Sequence, residues 1–426
     1  MAIDSNGSIE FKDMVNRDFS ELTHDLLGKV VLDTCLKLSD AGVREGSVPK
    51  IEGSTGVGKS WCVTAHARAT AARENCEFRD WHKMSYDERA LYASNTDAGR
   101  EYRDKLLVLA VENLVICETC DFQMPSFEAD KPYFVWKPSI LYWALSLPGA
   151  RVYLFYDEIG HARHDVQAAM FRVVLDRALG SVAFQPGVFI CAATNGAEDR
   201  AGVHEMLLPL RRRFSNYRLA APTSEAWLAN FARPNGLDSK VQTFIDCNPQ
   251  SFLDSAEAAV RAKSGGFACP ATWHAVSNKI KDMQLDLSGA LAGKGAKHVK
   301  ERMEYEFAML ISGDVGTGHA VEFSKFITEV VLARPLDYLD NPAMADGLTG
   351  ADEWKLAAAL PELYRENPKR LDPILSVLNR LDKAMFNMAA RTMISVAKSR
   401  AAFVEQLRKC KNREMINQLA ELTYVN

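Results

Sequence analysis

The stretch "GSTGVGKS", residues 53–60, fits in full the pattern of a glycine, four residues, then Gly-Lys-Ser. Glycines at these positions let successive backbone N–H groups turn inward around a β-phosphate. The lysine closing such a loop reaches the β- and γ-phosphates, and the serine after it ligates Mg²⁺. Both flanks agree. The short apolar run "VPKIEG" leads in as a strand, and "KSWCVTAHARATAARE", rich in alanine and free of glycine and proline, leads out as a helix. A helix placed there offers its positive N-terminus to the phosphates. Gly53, Ser54, Thr55, Gly56, Val57, Gly58, Lys59, Ser60 and Trp61 are therefore the expected nucleotide-binding residues.

Downstream, "RVYLFYDEIG" is an apolar run ending in two acids. Asp157, at the end of a buried strand, can hold Mg²⁺ together with Ser60. Glu158 can orient and deprotonate an attacking water. A strand end capped by exposed acids is the plainer alternative, and the order after a phosphate loop argues against it. An acid adjacent to the metal ligand also favours ATP hydrolysis over kinase or GTPase chemistry. Next, "FICAATN" is an apolar strand ending in Asn195. Wedged beside the first two strands, it would set an amide against the γ-phosphate or the water. Alone, an Asn-Gly pair would only start a turn.

These stretches resemble the AAA+ ATPases, and within them the MoxR-like proteins and their dynein-related relatives. The resemblance rests on "GSTGVGKS", "DEIGHARHDVQAAMFRVVLDRALG", "FICAATN" and "LLPLRRRF". It covers residues 45–220 well and continues more weakly through "EAWLANFA", "FIDCNPQSFL" and "CPATWHAVSNKI". It implies a homo-hexameric ring with ATP and Mg²⁺ at subunit interfaces, and Asn195 as first sensor. It also implies an arginine donated by the neighbouring subunit, immediately before a phenylalanine, which here is Arg213. A fixed guanidinium stabilises charge on the transferring phosphoryl group and can be worth about 10³–10⁵ in rate. Such a group must protrude from a rigid helix end, which "HEMLLPLRRRF" is expected to form; Arg211 and Arg212 fit a solvated or subunit-bridging pair, with Arg212 the second candidate for the donated arginine. The expected catalytic set is Lys59, Glu158, Asn195 and Arg213. One departure stands out: where this branch carries Pro-Arg-Ser/Thr-Trp, the chain has Pro270-Ala271-Thr272-Trp273, so the second sensor arginine is missing at Ala271. Lys279 is a nearby base that could take its place.

The bulk composition sets limits. The 426 residues, 47% hydrophobic and 25% charged, suit a soluble protein of two or three domains. A formal charge of −4 argues against wrapping a nucleic-acid backbone. No apolar run approaches the ~18 residues needed to span a bilayer. The N-terminal "MAIDSNGSIEFKDMVNRDF" has no signal-peptide pattern, so a cytoplasmic location without membrane association is expected. Nine cysteines, mostly in apolar runs, fit reduced thiols, and "CETC" lacks the second pair a structural zinc site wants.

The expected architecture is α/β: an N-terminal extension (1–19), a three-layer αβα phosphate-loop core with a parallel sheet (20–221), an α-helical lid (222–320) and a C-terminal helical region (321–426). Residues 20–41 read as one amphipathic helix, and residues 76–147 as mixed helix and loop. "GDVGTGHA", 313–320, has His319 and Ala320 where lysine and serine would stand, so it reads as a turn and helix cap. His161 and His164, spaced i, i+3, do not form a zincin motif and are expected on the exposed start of a helix. "AGKGAK", 292–297, reads as a loop, and "KSRAAFVEQLRKCKNR" as the solvated face of a terminal helix. The function expected is an ATP-driven ring that remodels or chaperones an unidentified protein substrate or adaptor. A nucleic-acid motor or loader and a nucleotide-gated scaffold with little turnover are the alternatives.

Overall fold

The computed structural model describes residues 21–36, 48–196, 206–255, 265–282, 296–332, 335–348, 351–397 and 399–410. The chain divides into two compact units, Met1–Ala221 and Pro222–Asn426.

The first unit is built on seven parallel strands: β1 (Glu21–Leu22), β2 (Val48–Glu52), β3 (Glu77–Asp80), β4 (Leu106–Asn113), β5 (Val152–Asp157), β6 (Val188–Thr194) and β7 (Phe214–Leu219). Their order is β1-β7-β2-β6-β5-β4-β3. The central strands are near-continuous apolar runs because helices cover both faces. The period-2 alternation divides them cleanly. Val152, Leu154 and Tyr156 join one core with Val166, Met170 and Val173 of helix α2 (His164–Asp176). Tyr153 and Phe155 join another with Val63 and Ala67 of helix α1 (Lys59–Arg73). Each such side chain, fully buried, is worth roughly 1.5–3 kcal/mol.

Two expectations change here. Residues 20–41 are not one helix: Glu21 and Leu22 pair with Arg218 and Leu219 at the sheet edge. The helical segment starts at His24, capped by the Thr23 hydroxyl, and passes through a π-helical turn at Leu27–Leu32. Residues 76–147 are more ordered than mixed helix and loop. They supply β3, β4, helices Tyr86–Tyr92 and Asp97–Lys105, and a hairpin of Gln123–Phe127 with Phe134–Pro138. Buried Arg103 ties this region together by donating to the carbonyls of Tyr92, Ser94 and Pro148. Residues 1–19, the expected N-terminal extension, lie outside the described residues.

The second unit is helical. Its described helices include Ser239–Cys247, Pro270–Asp282, Ala296–Val315, Thr317–Leu332, Ala351–Glu366, Leu371–Leu378, Lys383–Val396 and Arg400–Leu407. They share one apolar core from Trp227 to Leu407. Phe244 sits at its centre, with ring centroids 5.3 Å from Trp273 and 5.0 Å from Phe323. The expected boundary at 320/321 falls inside Thr317–Leu332, and helices on its two sides share this core. Gly316 separates two helices as the turn-and-cap reading expects, and His319 bonds to Asp254 (3.0 Å). The "AGKGAK" loop lies outside the described residues except for Ala296 and Lys297, which start a helix. No described helix is long and apolar enough to cross a membrane.

Candidate functional site

Parallel register brings three loops to one end of the sheet. Glu52 pairs with Thr194, and Tyr156 with Ala192, so the residues just past β2, β5 and β6 emerge side by side. β6 is wedged between β2 and β5, as expected of the strand that carries Asn195.

The glycine loop joins β2 to α1. Gly58 takes φ +100°, a left-handed conformation that a side chain would resist, and α1 begins at the next residue. No side chain among the described residues caps this helix, so its first-turn amides face the loop. Lys59 is buried, and its Nζ donates to the carbonyls of Gly53 (2.7 Å) and Ser54 (3.0 Å) and to Asn195 Oδ1 (2.7 Å). A lysine that bridges the loop to the neighbouring strand end is already aimed at the space a phosphate would fill.

Ser60 Oγ donates to Asp157 Oδ2 (2.9 Å). Burial pushes the Asp157 carboxyl above its ordinary value, against the pull of the Ser60 hydrogen bond. A hydroxyl beside a carboxylate is a hard oxygen pair of the kind Mg²⁺ takes together with substrate phosphates and water. A cation there would offset the penalty that burial imposes on the ionised carboxylate. The donor set therefore fits Mg²⁺.

Glu158 has φ +56° and ψ +33°, a left-handed backbone for a residue with a side chain. Such a conformation costs of order 1–3 kcal/mol and persists only where its surroundings impose it. Here Asp157 Oδ1 accepts the Glu158 N–H (3.1 Å), and the Glu158 carbonyl accepts the His161 N–H (2.9 Å). The carboxylate is held on both oxygens. Asn195 Nδ2 donates to Oε1 (2.8 Å), and His161 Nδ1 lies 2.8 Å from Oε2. Lys59, Asn195, Glu158 and His161 thus form one continuous chain of polar contacts.

His161 differs from its expected place. It lies in the short turn Ile159–His161 with a side chain 16% exposed and turned to Glu158, whereas His164 is exposed at the start of α2 as expected. His24 was legible only as part of an amphipathic helix. It reaches the Val57 carbonyl (2.7 Å) and lies against Gly58, so the helical segment after β1 braces the glycine loop.

Arg213 stands elsewhere. Its residue follows the four-residue helix α3 (Leu208–Arg211), and its guanidinium does not protrude. It lies over the Phe171 ring, 5.2 Å from the centroid, with Nη1 donating to the Pro209 carbonyl (2.5 Å). Buried Nε has no acceptor among the described residues. Arg211 and Arg212 are exposed. Phe214 pairs with Val48, the first residue of β2, whereas the glycine loop leaves the other end of that strand. At ~3.3 Å per residue, Arg213 is about 20 Å along the strand from the glycine loop of its own chain.

Other candidates resolve simply. Lys279 is committed to Asp314 (2.6 Å) within the helical unit. Ala271 is exposed, and Trp273 is buried in the core. Cys117 has its thiol pushed up to about 11, chiefly by burial, and no metal-ligating group of three exists among the described residues.

No family model matches the chain, and no curated protein matches it either. Solved structures overlap it loosely. C. elegans PCH-2 is 9% identical with a TM-score of 0.27, covering 74% of this chain and 71% of that one. A RuvB mutant from Thermotoga maritima is 13% identical with a TM-score of 0.26, covering 85% and 87%. The S. cerevisiae Hsp104–ADP complex is 14% identical with a TM-score of 0.26, covering 89% of this chain and 45% of that one. The chain's own sheet order and loops define an α/β fold with a glycine loop between β2 and α1.

Proposed function

We propose that the chain is an AAA+ ATPase of the MoxR-like type, hydrolysing ATP at the interfaces of a homo-oligomeric ring to remodel or chaperone a protein partner. One observation carries the reading. Lys59, Ser60, Asp157, Glu158 and Asn195 come from three strand ends and meet in linked hydrogen bonds of 2.7–3.1 Å. In this reading residues 20–221 are the catalytic core, with the lid and C-terminal helices following from 222.

The loop amides from Gly53 to Trp61 bind the phosphates, and Lys59 transfers its ammonium from Asn195 to the β- and γ-phosphates. Ser60 and Asp157 hold Mg²⁺, which neutralises phosphate charge. Glu158 orients the attacking water and accepts its proton, and Asn195 positions that water or the γ-phosphate. Arg213 serves the site of the adjacent copy, for which its guanidinium has to leave the Phe171 ring and the Pro209 carbonyl and swing outward.

The test compares wild type with Glu158→Gln in turnover and in ATP binding. Loss of the base should lower kcat by about 10²–10⁴ while ATP still binds. If both proteins bind ATP and are equally inert, the chain is a nucleotide-gated scaffold and the enzymatic reading fails. Salt-sensitive stimulation of turnover by DNA would favour a nucleic-acid motor over a protein remodeller.

A further inference from the structure

We propose that His161 is a positioning residue for Glu158, an inference that rests on the hydrolytic reading above. Glu158 is half-buried, and its side chain has three rotatable bonds, so an untethered carboxylate would sample several rotamers. Two groups restrain it, one on each oxygen: Asn195 on Oε1 and His161 on Oε2. The two restraints are not equivalent. Each oxygen keeps a second lone pair for the proton of a water, so Glu158 can act as a base with a restraint still in place. Asn195 is the one given up in the hydrolytic reading, because its amide is assigned to the water or the γ-phosphate, and its Oδ1 loses Lys59 when phosphate arrives. His161 has no such assignment, so it can hold Oε2 throughout. An ionised carboxylate only accepts, and His161 must therefore carry its proton on Nδ1 in this contact.

The turn that carries His161 is itself fixed. A Cβ at Gly160 would lie 2.3 Å from Thr194 Oγ1, so this glycine lets the turn close down on the end of β6. The His161 N–H then closes the turn on the Glu158 carbonyl (2.9 Å). Backbone and side chain of the same histidine hold the same glutamate.

The experiment measures kcat, KM and ATP affinity for wild type, His161→Ala and His161→Asn, each also in a Glu158→Gln background. Asparagine can place an amide N–H near the position of Nδ1. His161→Ala should lower kcat about tenfold to a hundredfold, with KM and ATP affinity unmoved, because orientation of the base is lost and binding is not. His161→Asn should recover most of the rate. In the Glu158→Gln background neither change should matter, since the group being positioned is gone. An active wild type with an unaffected His161→Ala, a His161→Asn as slow as the alanine variant, or an undiminished loss in the Glu158→Gln background would overturn the inference alone. An inert wild type overturns the functional reading and takes this inference with it.

Discussion

The two ends of the central sheet share strands and differ in nearly everything else. At the C-terminal end, loops from β2, β5 and β6 crowd six polar side chains into one network. A glutamate there is held in a left-handed backbone, and a glycine passes where no side chain would fit. At the N-terminal end of β7, three arginines end and follow a helix of one turn, two of them exposed and the third folded over a phenylalanine ring. The first end is built to one geometry; the second keeps a cation close at hand. Because register fixes their separation at about 20 Å along the strand, no rearrangement within one copy joins them while the sheet persists. If Arg213 acts on a phosphate, it acts on that of another copy.

The largest effect should come from connecting the ends. Arg213→Ala in every subunit should lower hydrolysis about 10³-fold or more and leave ATP binding intact. Lys59→Ala subunits, inert for want of phosphate binding, still carry Arg213. Mixing the two inactive proteins should therefore restore turnover, because some interfaces pair an intact loop with an intact arginine. Full activity in the homogeneous Arg213→Ala protein would erase the distinction between the ends.

A smaller effect belongs to the C-terminal end alone. Gly160→Ala forces the turn off Thr194 and should cost about 1–3 kcal/mol of stability, as overpacking does. Turnover should fall with it, read as a lower Tm and a lower kcat; an unchanged kcat would show that Glu158 does not depend on this close approach. The smallest effect is expected from Arg211→Ala with Arg212→Ala. Exposed changes of this kind stay within roughly 0.5 kcal/mol, so turnover should remain within about twofold of wild type. A loss comparable to that of Arg213→Ala would move the trans-acting role to this pair.

Legibility followed the same division. β2, β5 and β6 could be read because each is an apolar run that stops at a residue with chemistry: Gly53, Asp157 and Asn195. β4, "LLVLAVEN", went unread because a short apolar run without such a marker is as compatible with a buried helix as with a strand. β3, "EFRD", is a half-exposed edge strand with almost no apolar signal. Which groups meet is a tertiary fact. Lys59 and Asn195 lie 136 residues apart, and His24 and Val57 lie 33 apart. His161 was misplaced for a related reason. Its spacing from His164 signals no metal site, and nothing local announces that a left-handed Glu158 will swing its carboxylate back onto the next turn.

That left-handed glutamate also bears on how the chain can change. Glycine would occupy the same backbone conformation without strain, so drift under selection for folding alone would favour it at position 158. Such a chain would keep its sheet, its loop and its grip on a phosphate while losing the acid. On the proposed reading, one substitution away from activity thus leads toward a sturdier protein, and a degenerate descendant would be a well-folded nucleotide binder rather than a misfolded enzyme.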